Sequence, residues 1–337
     1  MSGRWSGSVR LLGGAVVLAV LVRSLGTGPF VQGVRTVDGW SLAAATAIAA
    51  VTTVCCAWRW SLVARGLGVA VPLRPAIAAY YRSQFLNTTL PGGVLGDLHR
   101  GVVHGRKAGN VGRGLRAVGW ERAAGQTVQA ALAALVLLSL PSPVHSAMPA
   151  VVAAGAVLAA LIALAVAVPP RGHLGTGASR WARAVRAAGS DLRDGVLARR
   201  AWPGIVAAST VVVAGHVTTF LIAARATGAT APPARLLPLA LLILLAMGVP
   251  ANIGGWGPRE GVAAWAFGAA GLGAAQGLAT AVGYGVLVLV ANLPGALVLL
   301  ADRPARRSRE GHRRRARHTD MVRPPLTALE REGVAHG

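Results

Sequence analysis

Acidic residues are scarce in this 337-residue chain: 11 Asp and Glu stand against 34 Lys and Arg, and Lys107 is the single lysine. Charged residues amount to 13% and hydrophobic ones to 54%, too little polarity to clothe a soluble domain of this length. The two cysteines, Cys55 and Cys56, are adjacent within an apolar run, which excludes a disulfide scaffold and offers no metal-ligand spacing. They read as small core residues. No Walker loop, dinucleotide fingerprint, nucleophile elbow or zinc signature occurs, so no cofactor and no metal are expected. A formal charge of +23 would suggest nucleic acid in a soluble protein. Here the basic residues lie between apolar runs and at the end of the chain, where flanking a membrane explains them.

What is abundant is apolar sequence in membrane-length runs. A crossing needs about 20 mostly apolar residues, and six stretches supply it: 9–27, 39–58, 118–140, 148–168, 203–224 and 275–300. The first is the weakest, since its core from Leu11 to Val22 is short and relies on Arg10 and Arg23 reaching outward; it is read as an uncleaved span. Trp40, Trp58, Trp60, Trp120 and Trp202 lie near span ends, where amphipathic rings prefer to sit. Basic residues concentrate in 59–116, in 171–200 and in the tail from 303, and are sparse in 141–147 and 225–235. That bias places the first three segments and both termini in the cytoplasm of a plasma-membrane protein. Residues 170–202 read as a basic amphipathic helix drawn to an anionic leaflet, and 303–337 as a disordered basic tail.

Two apolar stretches, 75–97 and 234–257, are interrupted by Pro and Gly and end in charge. Charge parity requires each to enter and return on the same side, as a re-entrant or broken-helix hairpin, one from each face. The expected fold is therefore an all-α polytopic membrane protein with six full spans and two hairpins, or up to about ten segments if each hairpin is a pair of short spans. The stretch 1–302 forms the transmembrane domain, with halves over 39–168 and 203–300 in inverted-repeat relation, and 303–337 the tail.

The two hairpins share a pattern, Pro91-x4-Gly96-x3-Arg100 and Pro250-x4-Gly255-x3-Arg259. Proline removes a backbone donor and glycine lets the chain reverse, so free N–H groups are expected at the start of each second arm, an end that attracts anions. An arginine beside it adds a planar fork suited to phosphate. Arg100, Arg259, Asn87, Gly96, Gly254 and Gly255 are thus the candidate headgroup-binding residues, with Pro91 and Pro250 breaking the hairpins. Asp97, Glu121 and Glu260 are costly charges at membrane depth and hence functional candidates, as proton carriers or ion-pair partners, with Arg122 beside Glu121. Because Glu121–Arg122 and Arg259–Glu260 are sequence neighbours, their side chains are expected to diverge and to pair across the two repeats. His216 and Asn292 lie within spans and are expected to hydrogen-bond between helices.

Taken together, Asn87-Thr-Thr-Leu-Pro91 leading into Gly96-Asp97-x-x-Arg100, then Glu121-Arg122, and later Pro250-x-x-x-Gly254-Gly255-x-Gly257-x-Arg259-Glu260-Gly261 with Pro294-Gly295 resemble the flippase-like integral membrane family related to the transmembrane region of lysylphosphatidylglycerol synthases. The resemblance covers roughly residues 10–300. It implies a translocator that moves an anionic or aminoacylated phospholipid, or a lipid-linked carrier, between leaflets. It also implies a non-enzymatic module without the soluble aminoacyl-transferring domain, with membrane lipids as partners and a separate lipid-modifying enzyme as a further one. Two other functions fit the residues: a membrane-embedded lipid-modifying enzyme with Glu121 or Glu260 as general base, and a scaffold for a lipid aminoacyltransferase.

Overall fold

The computed structural model describes residues 16–90, 93–167, 180–248 and 256–301. Of the hairpin residues, Pro91, Pro250, Gly254 and Gly255 lie outside the described residues, as do the tail 303–337 and the start of the first expected span. The chain divides into two compact units, Met1–Gly295 and Ala296–Gly337. The site lies in the first; of the second, residues 296–301 are described and are helical.

Helices supply the regular structure. They are α1 (Val16–Leu25), α2 (Gly28–Arg35), α3 (Gly39–Gly66), α4 (Leu73–Thr89), α5 (Leu95–Lys107), α6 (Val111–Ser139), α7 (Met148–Ala167), α8 (Arg180–Asp191), α9 (Trp202–Ala226), α10 (Pro233–Ala246), α11 (Pro258–Ala269) and α12 (Ala274–Ala291). The starts follow from local chemistry. Asp38 caps α3 by accepting the Ser41 N–H at 2.8 Å, and Asn110 caps α6 by accepting the Arg113 N–H at 2.9 Å. Proline in the first turn, where its missing donor costs nothing, opens α2, α9, α10 and α11.

Among the described residues three helical segments are long and apolar enough to cross a bilayer: Gly39–Gly66, Trp202–Ala226 and Ala274–Ala301. Of the first expected span, 9–27, the described part forms α1, which ends at a 99° bend into α2 where Gly26 and Pro29 interrupt the run. Beyond the bend, α2 lies on α12, with Gly33 so close to Ala279 that a side chain there would overlap its carbonyl. The helix expected in 170–202 is present as α8, and its last residue, Asp191, is anchored by Arg116 Nε at 2.6 Å and by the Trp120 indole N–H at 3.3 Å.

Both interrupted stretches form pairs of antiparallel arms that are short for a bilayer. With 17 residues in α4 and 13 in α5, the arms reach roughly 25 and 20 Å, under the roughly 30 Å of hydrocarbon. With 14 and 12 residues, α10 and α11 are shorter still. Arg235 at the start of α10 donates to the Ala270 carbonyl just past α11 at 3.0 Å, which fixes the antiparallel sense of that pair. His104 near the end of α5 contacts the Val69 carbonyl ahead of α4 at 2.6 Å and does the same for the first. Small residues allow the close approaches. Gly114 of α6 packs on Gly101 and Gly105 of α5, where a Cβ would stand 2.5 Å from the Gly101 carbonyl oxygen. Gly96 packs on the Ser83 backbone, leaving no room for a methyl.

Candidate functional site

The first ionic cluster is built where α3, α4, α5 and α6 meet. Glu121, wholly buried on α6, receives Arg59 Nε of α3 at 2.8 Å, the Tyr80 hydroxyl of α4 at 3.0 Å and Arg100 Nη2 of α5 at 3.1 Å. Arg59 also donates from Nη1 to Ser209 Oγ of α9 at 3.0 Å. Arg100 turns the same Nη2 to Asp97 at 2.9 Å and lies between two rings, its guanidinium carbon 4.5 Å from the Trp60 centroid and 4.1 Å from that of Tyr80. Asp97 is held in addition by Ser83 at 3.0 Å, Asn87 at 2.8 Å and Arg122 at 2.6 Å. Three guanidiniums (Arg59, Arg100, Arg122) against two carboxylates (Asp97, Glu121) leave the cluster with one excess positive charge. Of the three cations Arg122 alone is substantially exposed, with 47% of its side chain accessible.

The second cluster sits at the start of α11. Glu260, the third residue of the helix, reaches back to accept the Gly257 N–H at 2.7 Å, and Gly257 holds φ at +127°, a backbone conformation open to glycine. Arg259 donates Nε to Glu260 at 2.8 Å and makes an ion pair with it through Nη2. Its guanidinium lies 5.1 Å from the Trp256 ring and 5.6 Å from that of Tyr284, and it is seated on Gly285. Tyr284 in turn meets His216 of α9, hydroxyl to Nδ1, at 2.9 Å, so the expected interhelical role of His216 is observed. Asn292 ends α12 and lines a small cavity.

Several expectations are corrected by this geometry. The acids pair locally and not across the repeats: Glu121 with Arg59 and Arg100, and Glu260 with its own neighbour Arg259. Adjacent residues can meet at a helix start because the first turn leaves room for the acid to curl back over the cap while the arginine folds onto it. The Gly96 N–H, expected to be free for an anion, is taken by Asn87 Oδ1 at 2.8 Å. Each second arm carries its own anion at the third position, Asp97 in α5 and Glu260 in α11, which satisfies the positive helix end internally. The arginines of the shared pattern are not equivalent in register, Arg100 being the sixth residue of α5 and Arg259 the second of α11. Both are buried and paired.

The open space lies beside them. A cavity of about 190 Å³ between α3, α4, α6 and α9 is lined by Arg59, Tyr80, Gln84, Arg122, Gln126, Gln129, Ser209 and His216, with Cys56 and Gly125 in its wall. A smaller one of about 40 Å³, lined by Thr52, Thr219 and Asn292 among apolar residues, shares Gln84 and His216 with it. Since roughly 10–15 Å³ on this measure admits one water, whose share of liquid volume is about 30 Å³, the larger has room for several waters or one phosphate-sized group. The described ends of both interrupted segments reach its rim. Asp97, which accepts a hydrogen bond from Asn87, pairs with Arg122, and Gly248, just past α10, packs against the Gln126 amide, where a Cβ would come within 2.5 Å of Nε2. Arg122 and Gln126 are one turn apart on α6 and share a face. Arg59, Gln84, Gln126, Gln129 and Ser209 were not singled out by the sequence; the signal available was polar residues spaced along otherwise apolar helices, such as Gln126 and Gln129 on α6.

The described residues thus build a helical membrane domain in which two pairs of short antiparallel arms stand beside a polar cavity with two arginines in its wall. The family model described as lysylphosphatidylglycerol synthase TM region matches residues 7–295, and the chain belongs to that family. No curated protein and no solved structure matches the chain.

Proposed function

We propose that the protein is a lipid translocator that passes a phosphate-bearing headgroup of an anionic or aminoacylated phospholipid, or of a lipid-linked carrier, between leaflets of the cell membrane, with both termini cytoplasmic. The observation that carries the reading is the cavity of about 190 Å³ bounded by Arg59 and Arg122 and touched at its rim by the described ends of both hairpins. In an apolar bundle such a polar space is costly unless a charged group uses it. Arg122 is the exchangeable cation, since its ion pair with Asp97 leaves about half of the Arg122 side chain exposed. Arg100 and Arg259 serve as buried positioning charges, and Asp97, Glu121 and Glu260 hold them. Rocking of the two halves about this point, in the manner of an inverted repeat with re-entrant hairpins, would alternate access.

A non-catalytic role is favoured by the state of the acids. A general base needs a lone pair aimed at substrate, whereas Glu121 is engaged by the side chains of Arg59, Tyr80 and Arg100 and Glu260 by the Gly257 N–H and Arg259. Partners are then membrane lipids, with a separate lipid-modifying enzyme supplying or consuming them. The test is a reconstituted leaflet-exchange assay with a fluorescent anionic phospholipid. Arg122→Gln is expected to slow exchange at least tenfold while the protein inserts normally; unchanged exchange in that variant removes the cavity from the mechanism.

A further inference from the structure

The charge pattern of the cavity narrows its ligand. Its cations are Arg59 and Arg122, and among the described residues no carboxylate lines it. The nearest acids, Glu121 and Asp97, are turned into the ion network: Glu121 toward Arg59, Tyr80 and Arg100, and Asp97 toward Ser83, Asn87, Arg100 and Arg122.

The wall also carries three neutral amides, Gln84 of α4 and Gln126 and Gln129 of α6. The Gln84 carbonyl oxygen is occupied by the Thr53 hydroxyl at 2.9 Å, which leaves its NH₂ to donate toward the cavity. Ser209 and His216 complete the polar wall. With Arg59 engaged by Glu121 and Ser209, the half-exposed Arg122 guanidinium is the group that matches a phosphodiester, and amides and hydroxyls match neutral hydroxyl groups. An ammonium has no counter-ion here and would face two guanidiniums.

We infer that the cavity binds a phosphate ester with an uncharged, hydroxylated headgroup, such as a glycerol or sugar phosphate carried on lipid, and discriminates against aminoacylated headgroups that bear an ammonium. This rests on the cavity being the headgroup site of the proposed translocator, and it selects one branch of that proposal. Like-charge juxtaposition with Arg59 and Arg122 is the discriminating element.

The test is binding of phosphatidylglycerol and of its lysyl ester, with the same acyl chains, to the full-length protein, read by native mass spectrometry from detergent. Phosphatidylglycerol is expected to bind at least about tenfold more tightly. Gln129→Glu, which places a carboxylate in the wall, is expected to narrow or reverse the ratio, and Gln126→Glu at the rim serves if the first variant does not fold. Equal or tighter binding of the lysyl ester, or a ratio unmoved by both variants, overturns the inference. Competition by soluble glycerol 3-phosphate at the lipid's own concentration would assign the site to a free phosphate ester and overturn the lipid source. Selective binding without leaflet exchange would keep this inference and overturn translocation; exchange of both lipids alike would do the opposite.

Discussion

Arg59 of α3 and Gly125 of α6 face one another so closely that a Cβ on Gly125 would stand 2.6 Å from the guanidinium. The absent side chain is what lets Arg59 cross the interface to Glu121 and Ser209. The same device recurs where Arg259 is seated on Gly285. Gly125→Ala is therefore expected to displace Arg59 and destabilise the protein by about 1–3 kcal/mol. Gly119→Ala, on the same helix with nothing within 4 Å, is expected to be neutral or to stabilise by up to about 1 kcal/mol. Thermal unfolding in detergent followed by tryptophan fluorescence compares the two; equal behaviour would show that the close packing is not limiting.

Glu121 gathers two guanidiniums and a phenol. Removing its charge leaves Arg59 and Arg100 buried without adequate compensation, so Glu121→Gln is expected to cost about 3–5 kcal/mol, more than Tyr80→Phe, which deletes one hydrogen bond worth about 0.5–1.5 kcal/mol. A denaturation series on both variants gives the order, and the reverse order would contradict the network described.

Cys56 supplies a native probe of the cavity, since it lines the wall and its sulfur stands 3.8 Å from Arg59 Nη2. In a Cys55→Ala background, a negatively charged methanethiosulfonate is expected to modify Cys56 faster than a positively charged one of similar size, because the cavity carries cations and no acid among its described residues. The preference should shrink in Arg122→Gln. A preference for the cationic reagent would reverse the electrostatic assignment.

At the rim of α3, hydrogen bonding from Ser41, its hydroxyl first and its backbone N–H second, holds the Asp38 carboxyl below the ordinary carboxylate range. A lowered native pKa means that this cap contributes fully above the unfolded value and fades as pH falls through the native one. The melting-temperature gap between wild type and Asp38→Ala should be present at neutral pH and close in acid below that lowered value. A gap that persists there would assign the effect to packing.

The two interrupted segments illustrate what pattern alone conveys. Proline and glycine within 75–97 and 234–257 forbid a continuous rod, so α4–α5 and α10–α11 were legible as broken pairs. The first span was legible as weak and as ending at Gly26 to Pro29, but the 99° turn by which the chain there enters α2 was not, because hydropathy does not record direction. The acids were legible as unusual, since so few occur at membrane depth. Their partners were not: Arg59 reads as an interfacial arginine next to Trp58 and Trp60, and the glycine that admits it, Gly125, is one of 44.

The sequence by itself determined that this chain is a helical membrane protein with two interrupted segments, because apolar length, scarcity of charge and helix-breaking residues are local properties of consecutive residues. Which cation meets which carboxylate, that Gly96 and Asn87 close the first helix end, and that Arg122 and Gln126 form a shared rim for both hairpins were decided by tertiary structure. Those relationships join residues 62 apart, as in Arg59 and Glu121, through helix faces whose rotation is set by glycine contacts. Packing chooses the rotation, and the rotation chooses which polar groups are paired and which are left to face the cavity.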